Sequence, residues 1–473
     1  MASKLATLVC LAFIAYLFRS DLKRNNGPSA ALWIPFFWMF LAGSRWVSSW
    51  LNLSPPLDSV DSYSEGSPVD RTVFLALIVA GGVVLARRNL DWRRWIASNP
   101  WIALYLMYCL ASMAWSDEPF VLFKRWIKDL GNPIMALVIL TDRRPYETAA
   151  TILRRLSFLL LPLSLLFVKY FPDLGRVYHI DGAPLYTGIG HQKNDLGGMC
   201  LITGIYFAWN LIVNRSPDWK SSPVYTRQDM VLVVMMAWLL YMSNSQTSLA
   251  CLVVASGLFV LSRFPPFSRK PAKLVIFLTG SALVFGILEQ TFHIKDYIFY
   301  LLGRDPSLTN RTELWALVKS LETNPLLGAG FMSFWAGERM ARVWEVMGRG
   351  VNQAHSGYLE QYLNLGYVGL AFIGGIILAG LISVRRQLDT DVAGGLLRFS
   401  FILVAILYNY TEASFYGINT LWMLLLIGCI TIPGYGAATV TAAVAAPSAG
   451  RPMRVPMTRY RRPRPAPGDQ PSS

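Results

Sequence analysis

Arg311 and His355 are the side chains of this sequence whose placement most invites chemistry. Residues 311–322 space Leu314, Leu317, Val318 and Leu321 as one face of a short helix. Thr309 or Asn310 supplies an N-cap, Glu313 offers the reciprocal partner, and Asn324-Pro325 stops the run. Arg311 then falls in the first turn, where the macrodipole already places positive charge, and it costs a few tenths of a kcal/mol unless an anion is bound. With an anion present, free N–H groups and a guanidinium fork converge as a phosphate requires. The plainer reading has Arg311 snorkelling, or paired with Glu313 or Asp305.

His355 sits in NQAHSGYLEQYLNLGYVGL, just before a long apolar run. A neutral imidazole there could take the proton of a hydroxyl nucleophile, and the positive end of the following helix disfavours imidazolium. Tyr358 and Glu360 are the nearest residues in sequence that could orient the ring. The plainer reading is a histidine bonded to a loop carbonyl. A third stretch, GIGHQKNDLGG, puts His191, Lys193 and Asn194 at the start of another apolar run, with Arg176 upstream. Taken alone, such a Lys is a snorkelling anchor and such a His is solvated.

The elements that must position these residues are membrane helices. The 473-residue chain is 54% hydrophobic and only 15% charged, with repeated apolar runs of spanning length. The runs lie near 5–18, 30–43, 72–86, 100–115, 130–141, 156–170, 195–213, 230–243, 248–262, 274–290, 366–383, 397–410 and 418–433. This predicts an all-α polytopic helix bundle of about 12–14 transmembrane helices, with a large outer loop carrying short helices. Cations follow the first run and no small-residue cleavage site closes it, so it reads as an anchor. Assigning alternate loops to the cytoplasm collects 27 of the 43 Lys and Arg residues there. That puts the C-terminus inside and the loops at about 171–194 and 291–356 outside, within a membrane unit covering 1–434. The tail, 435–473, is rich in Pro and Arg and reads as a disordered basic segment along the inner leaflet.

A net charge of +15 does not indicate nucleic acid, because the cations are spread over short loops and the tail. All five cysteines fall within apolar runs, and the sequence offers no zinc spacing, phosphate loop or dinucleotide fingerprint. A transporter would place ionisable residues at mid-membrane and break helices in matched halves, whereas here most charges are interfacial and the large loop has no counterpart.

The ordered set SMAWSDEP (112–119), GIGHQKNDLGG, TNRTELW, NPLLGAGFMSFW and AHSGYLEQYLNLGYVGL resembles the O-antigen ligase and polysaccharide polymerase superfamily. The likeness covers roughly 100–430 and is nearest the exopolysaccharide-production branch typified by succinoglycan polymerases. It implies a metal-independent glycosyltransferase of the bacterial inner membrane, needing no cofactor and acting at the periplasmic face. The implied donor is an oligosaccharide on undecaprenyl diphosphate, and the acceptor is another glycan repeat or, for a ligase, lipid A core. Membrane lipids, a flippase and a chain-length co-polymerase are the implied partners. Arg311 occupies the place of the family arginine that contacts the diphosphate, and His355 that of the histidine held to activate the acceptor. A second family arginine lies near the GxxGHxN-like segment. Here the sequence departs from the pattern, offering Lys193 within the motif, beside His191 and Asn194, and Arg176 upstream.

Overall fold

The computed structural model describes residues 1–24, 28–53, 66–178, 182–214, 223–292, 311–321 and 324–433. Residues Met1–Pro433 form one compact unit. The expected basic tail lies outside the described residues, as do Thr309, Asn310 and Asp305.

About 75% of the described residues are helical, strands are nearly absent, and each apolar run lies on a helix. The first half comprises α1 (Ala2–Arg24), α2 (Trp33–Ala42), α3 (Pro68–Arg87), α4 (Trp92–Ser98), α5 (Pro100–Ala111), α6 (Pro119–Asp129), α7 (Gly131–Leu140) and α8 (Pro145–Tyr170). A hairpin of two three-residue strands follows, β1 (Arg176–Tyr178) and β2 (Pro184–Tyr186), with Arg176 opposite Tyr186. Then come α9 (Lys193–Ile212), α10 (Pro223–Ser243), α11 (Gln246–Leu261) and α12 (Ala272–Phe292). Among the described residues, the long loop at about 291–356 carries α13 (Arg311–Ser320) and α14 (Gly337–Met347), before α15 (Gly357–Gln387), α16 (Val392–Thr411) and α17 (Thr420–Cys429).

By length and composition, six of these helices can cross a membrane among the described residues, or up to seven if the α4–α5 pair, bent by 96°, is one span. The expectation of 12–14 counted apolar runs, and several runs lie on helices too short for a full crossing, such as α2, α11 and α17. The multi-pass all-α bundle stands. Its centre is α7, α8, α9, α16 and α17, whose side chains are buried along much of their length.

Helices also begin earlier than hydropathy suggests. The α8 helix starts at Pro145, so Arg154 and Arg155 lie inside it and not in a loop. Asp21 of α1 accepts bonds of 2.8 Å from both arginines, and Asp229 of α10 accepts from Arg154 at 3.2 Å. All four side chains are buried, so two cations face two anions inside the bundle.

The α15 helix is broken at Gly366, which holds φ 64° and ψ −162°. Continuing the helix would join the amides of Tyr367 and Val368 to the carbonyls of Leu363 and Asn364. Those amides instead donate to Pro325 and Leu326, while the amides of Ala329 and Gly330 donate to Leu363 and Asn364. The stretch 325–330 of the outer loop is thus spliced into the break. A Cβ on Gly366 would lie 2.2 Å from a backbone atom of Leu326, and one on Gly328 would lie 2.4 Å from a backbone atom of Asn364, so only glycine permits this approach. The outer loop adds its own small core, with Leu314, Val318, Phe334, Trp335 and Val343 packed together.

Candidate active site

Four helix termini meet at one end of the bundle. Arg311 opens α13, Asn194 lies in the first turn of α9, His355 stands just before the Ser356 N-cap of α15, and Glu412 caps the C-terminus of α16. Glu412 is where they join. Its Oε1 accepts from Arg311 Nη2 at 3.1 Å and from Asn194 Nδ2 at 2.9 Å, and its Oε2 faces His355 Nδ1 at 3.5 Å. Arg311 Nη1 donates to the Thr411 carbonyl and, at 3.4 Å, to the His355 carbonyl. Three helix N-termini therefore surround one carboxylate, an arrangement that favours negative charge.

Arg311 does pair with a carboxylate, but with Glu412 and not with Glu313 in its own turn. The fork still carries N–H groups beyond those bonds. His355 holds φ 52°, a left-handed conformation that a non-glycine residue adopts at some cost. Its side chain is 29% exposed, so a ligand can reach the ring.

The turn that holds His355 is fixed from both sides. The Ala354 carbonyl accepts from Trp315 Nε1 of α13 at 2.7 Å. Buried Glu360 accepts from the Ala354 amide, from Trp335 Nε1 at 2.9 Å and from Asn364 Nδ2 at 3.3 Å. Glu360 thus props the turn and does not orient the ring. Tyr358 does not orient it either: its hydroxyl donates to the Ile406 carbonyl at 3.0 Å. Glu412 is the group that faces the imidazole.

The GIGHQKN stretch sits next to this cluster. Asp195 caps α9 by accepting from the amides of His191 and Gln192 at 3.0 and 3.1 Å. Lys193, in the first turn of α9 beside Asn194, forms no ion pair among the described residues. Desolvation first and the Arg45 guanidinium second hold the His191 imidazole below its ordinary pKa. Arg176 is committed elsewhere. Its Nε and Nη2 donate to the Val168 carbonyl at 3.0 and 2.7 Å, capping α8, and it stacks over Tyr186.

Sequence reasoning missed two residues here. Glu412 follows one apolar run and reads as an ordinary loop acid. Arg45 donates to the carbonyls of Gly190 and Leu174, which brings an arginine to the GIGHQKN turn from 145 residues upstream in the case of Gly190. Among the described residues, no group of three His, Cys, Asp or Glu side chains could hold a metal ion.

The architecture defines a multi-pass membrane protein with a polar, half-buried cluster where its long 291–356 loop joins the bundle. Residues 231–374 match the family model described as O-antigen ligase, which bears out the resemblance to the O-antigen ligase and polysaccharide polymerase superfamily. The match runs from α10 into α15 and includes both Arg311 and His355. No curated protein matches the chain.

Proposed function

We propose that the protein joins glycan repeats carried on undecaprenyl diphosphate into exopolysaccharide at the periplasmic face of the inner membrane. The observation that carries this reading is the convergence of Arg311 and His355 on Glu412, inside and beside the family-matched segment. The acceptor hydroxyl attacks the anomeric carbon of the donor sugar, and its proton passes to the His355 ring nitrogen turned away from Glu412. The bond from that carbon to the diphosphate oxygen breaks, and the lipid diphosphate leaves with the electron pair. Arg311 and the helix N-termini stabilise its added charge without giving up a proton. Glu412 holds the ring and balances the imidazolium that forms. Lys193 completes the diphosphate clamp, because Arg176 is spent on capping α8. A ligase, which would use the same donor with lipid A core as acceptor, is the second reading.

The test is transfer from lipid-linked oligosaccharide by the purified protein in detergent. Arg311→Lys keeps the charge but loses the fork, so turnover falls by at least about tenfold while insertion and folding persist. Wild-type turnover in Arg311→Ala ends the clamp. Chain growth with a repeat acceptor, against a single addition to lipid A core, separates polymerase from ligase.

A further inference from the structure

A cavity of about 400 Å³ lies between α3, α6 and the outer loop, and four cations line it against one carboxylate. Arg71, Lys124, Arg125 and Lys128 are the cations, and Asp70 is the acid. Asp70 is already engaged, accepting from the amide and hydroxyl of Ser48. Lys124 and Lys128 form no ion pair among the described residues, and Lys128 instead stands 4.8 Å from the centre of the Trp46 ring. Burial first and Arg125 second lower the Lys128 pKa to about 8. The cavity therefore attracts anions.

The rest of the lining combines aromatic and amide groups, which suit sugar, with aliphatic side chains of α3 and α6. Trp46, Trp335 and Tyr416 offer aromatic surfaces, and Asn352 offers an amide able to bond hydroxyls. The size exceeds what a diphosphate alone requires and suits a larger small-molecule ligand. Lys124, Arg125 and Lys128 share one turn of α6, the two lysines four residues apart on one face, and Arg71 stands on α3. The cavity adjoins the candidate site through its own wall: Trp335, Asn364 and Tyr416 all bond Glu360, which holds the amide next to His355.

We propose that this cavity binds an acidic segment of the glycan acceptor, with sugar carboxylates on Lys124 and Lys128 and sugar rings against Trp46 and Trp335. The word acceptor rests on the transfer reaction proposed above; the acidic-glycan site itself does not. The substrate class it implies is a polysaccharide bearing carboxylates, such as uronic acids.

The test is calorimetric binding to the full-length protein in detergent at low salt, with oligogalacturonate as probe and a neutral malto-oligosaccharide of equal length as control. Wild type binds the acidic probe at least about tenfold more tightly than the neutral one. Lys128→Met combined with Lys124→Gln loses that preference, Lys128→Arg keeps it, and Lys124→Gln alone, at an exposed position, weakens it in a protein that still folds. Equal affinity for both glycans overturns the proposal. So does displacement of oligogalacturonate by inorganic pyrophosphate at the same residues, which makes the cavity a diphosphate site. A loss of binding to phosphatidylglycerol vesicles in the double variant, with oligogalacturonate binding unchanged, assigns the lysines to the lipid surface instead. Failure of glycan transfer by the wild type removes the function proposed above and leaves the acidic-probe preference standing.

Discussion

Glu412 turns three separate polar residues into one device, and its charge is what its substitution should expose. In Glu412→Gln the amide oxygen still accepts from Asn194 and Arg311, but no anion faces His355, so in the proposed reaction the imidazolium is no longer balanced as the proton arrives. Turnover should fall while donor binding changes little, read as kcat against KM in the transfer assay. His355→Ala should remove roughly 10²–10⁴-fold of rate and His355→Gln nearly as much, because glutamine cannot carry the proton. Loss of donor binding with normal turnover of bound donor would make His355 a diphosphate ligand. At this scale the sequence was half legible. Arg311 and His355 stood out through conflict with their surroundings, a cation at the positive end of a helix and a titratable ring at the edge of an apolar run. Glu412 and Arg45 did not, because their partners are 57 and 145 residues away and no local pattern joins them.

The elements were legible wherever burial and hydropathy coincide. Apolar runs located the helices, and the 311–320 helix followed from its spacing. The polar beginning of α8 escaped, as did the burial of Glu360 and Asn364 in the first turns of α15, since hydrogen bonds and ion pairs bury these residues and Arg154 and Arg155 in a way that no hydropathy scale records. The three-residue strands of the 176–186 hairpin are too short to show an alternating pattern. One element junction makes a sharp prediction. A Cβ on Gly357 would lie 1.9 Å from Asn409 Oδ1, which accepts from the Ser414 amide at 2.8 Å and so shapes the turn bearing Glu412. Gly357→Ala should therefore lower stability by about 1–3 kcal/mol and reduce transfer as well. Melting in detergent checks the first effect. An unchanged melting point would mean that Asn409 yields without strain.

At the scale of the whole molecule, buried charge ties distant parts of the chain together. Asp21, Arg154, Arg155 and Asp229 join α1, α8 and α10, so Asp21→Ala strands two arginines inside the bundle. The expected loss is about 3–5 kcal/mol, read by thermal unfolding of the purified protein, and Asp229 can offset only part of it. The break at Gly366 has a different reach. The four backbone groups freed there are satisfied only by residues 325–330, so this loop cannot swing away as a flap without leaving two donors and two acceptors unpaired. Loop and helix must open together or not at all. In deuterium exchange, the amides of Ala329, Gly330, Tyr367 and Val368 should then be among the last to exchange and should do so in a single step. Arg311 and His355, carried on the same loop, would then stay in register, and in the reaction proposed above the glycan would move past a fixed jaw.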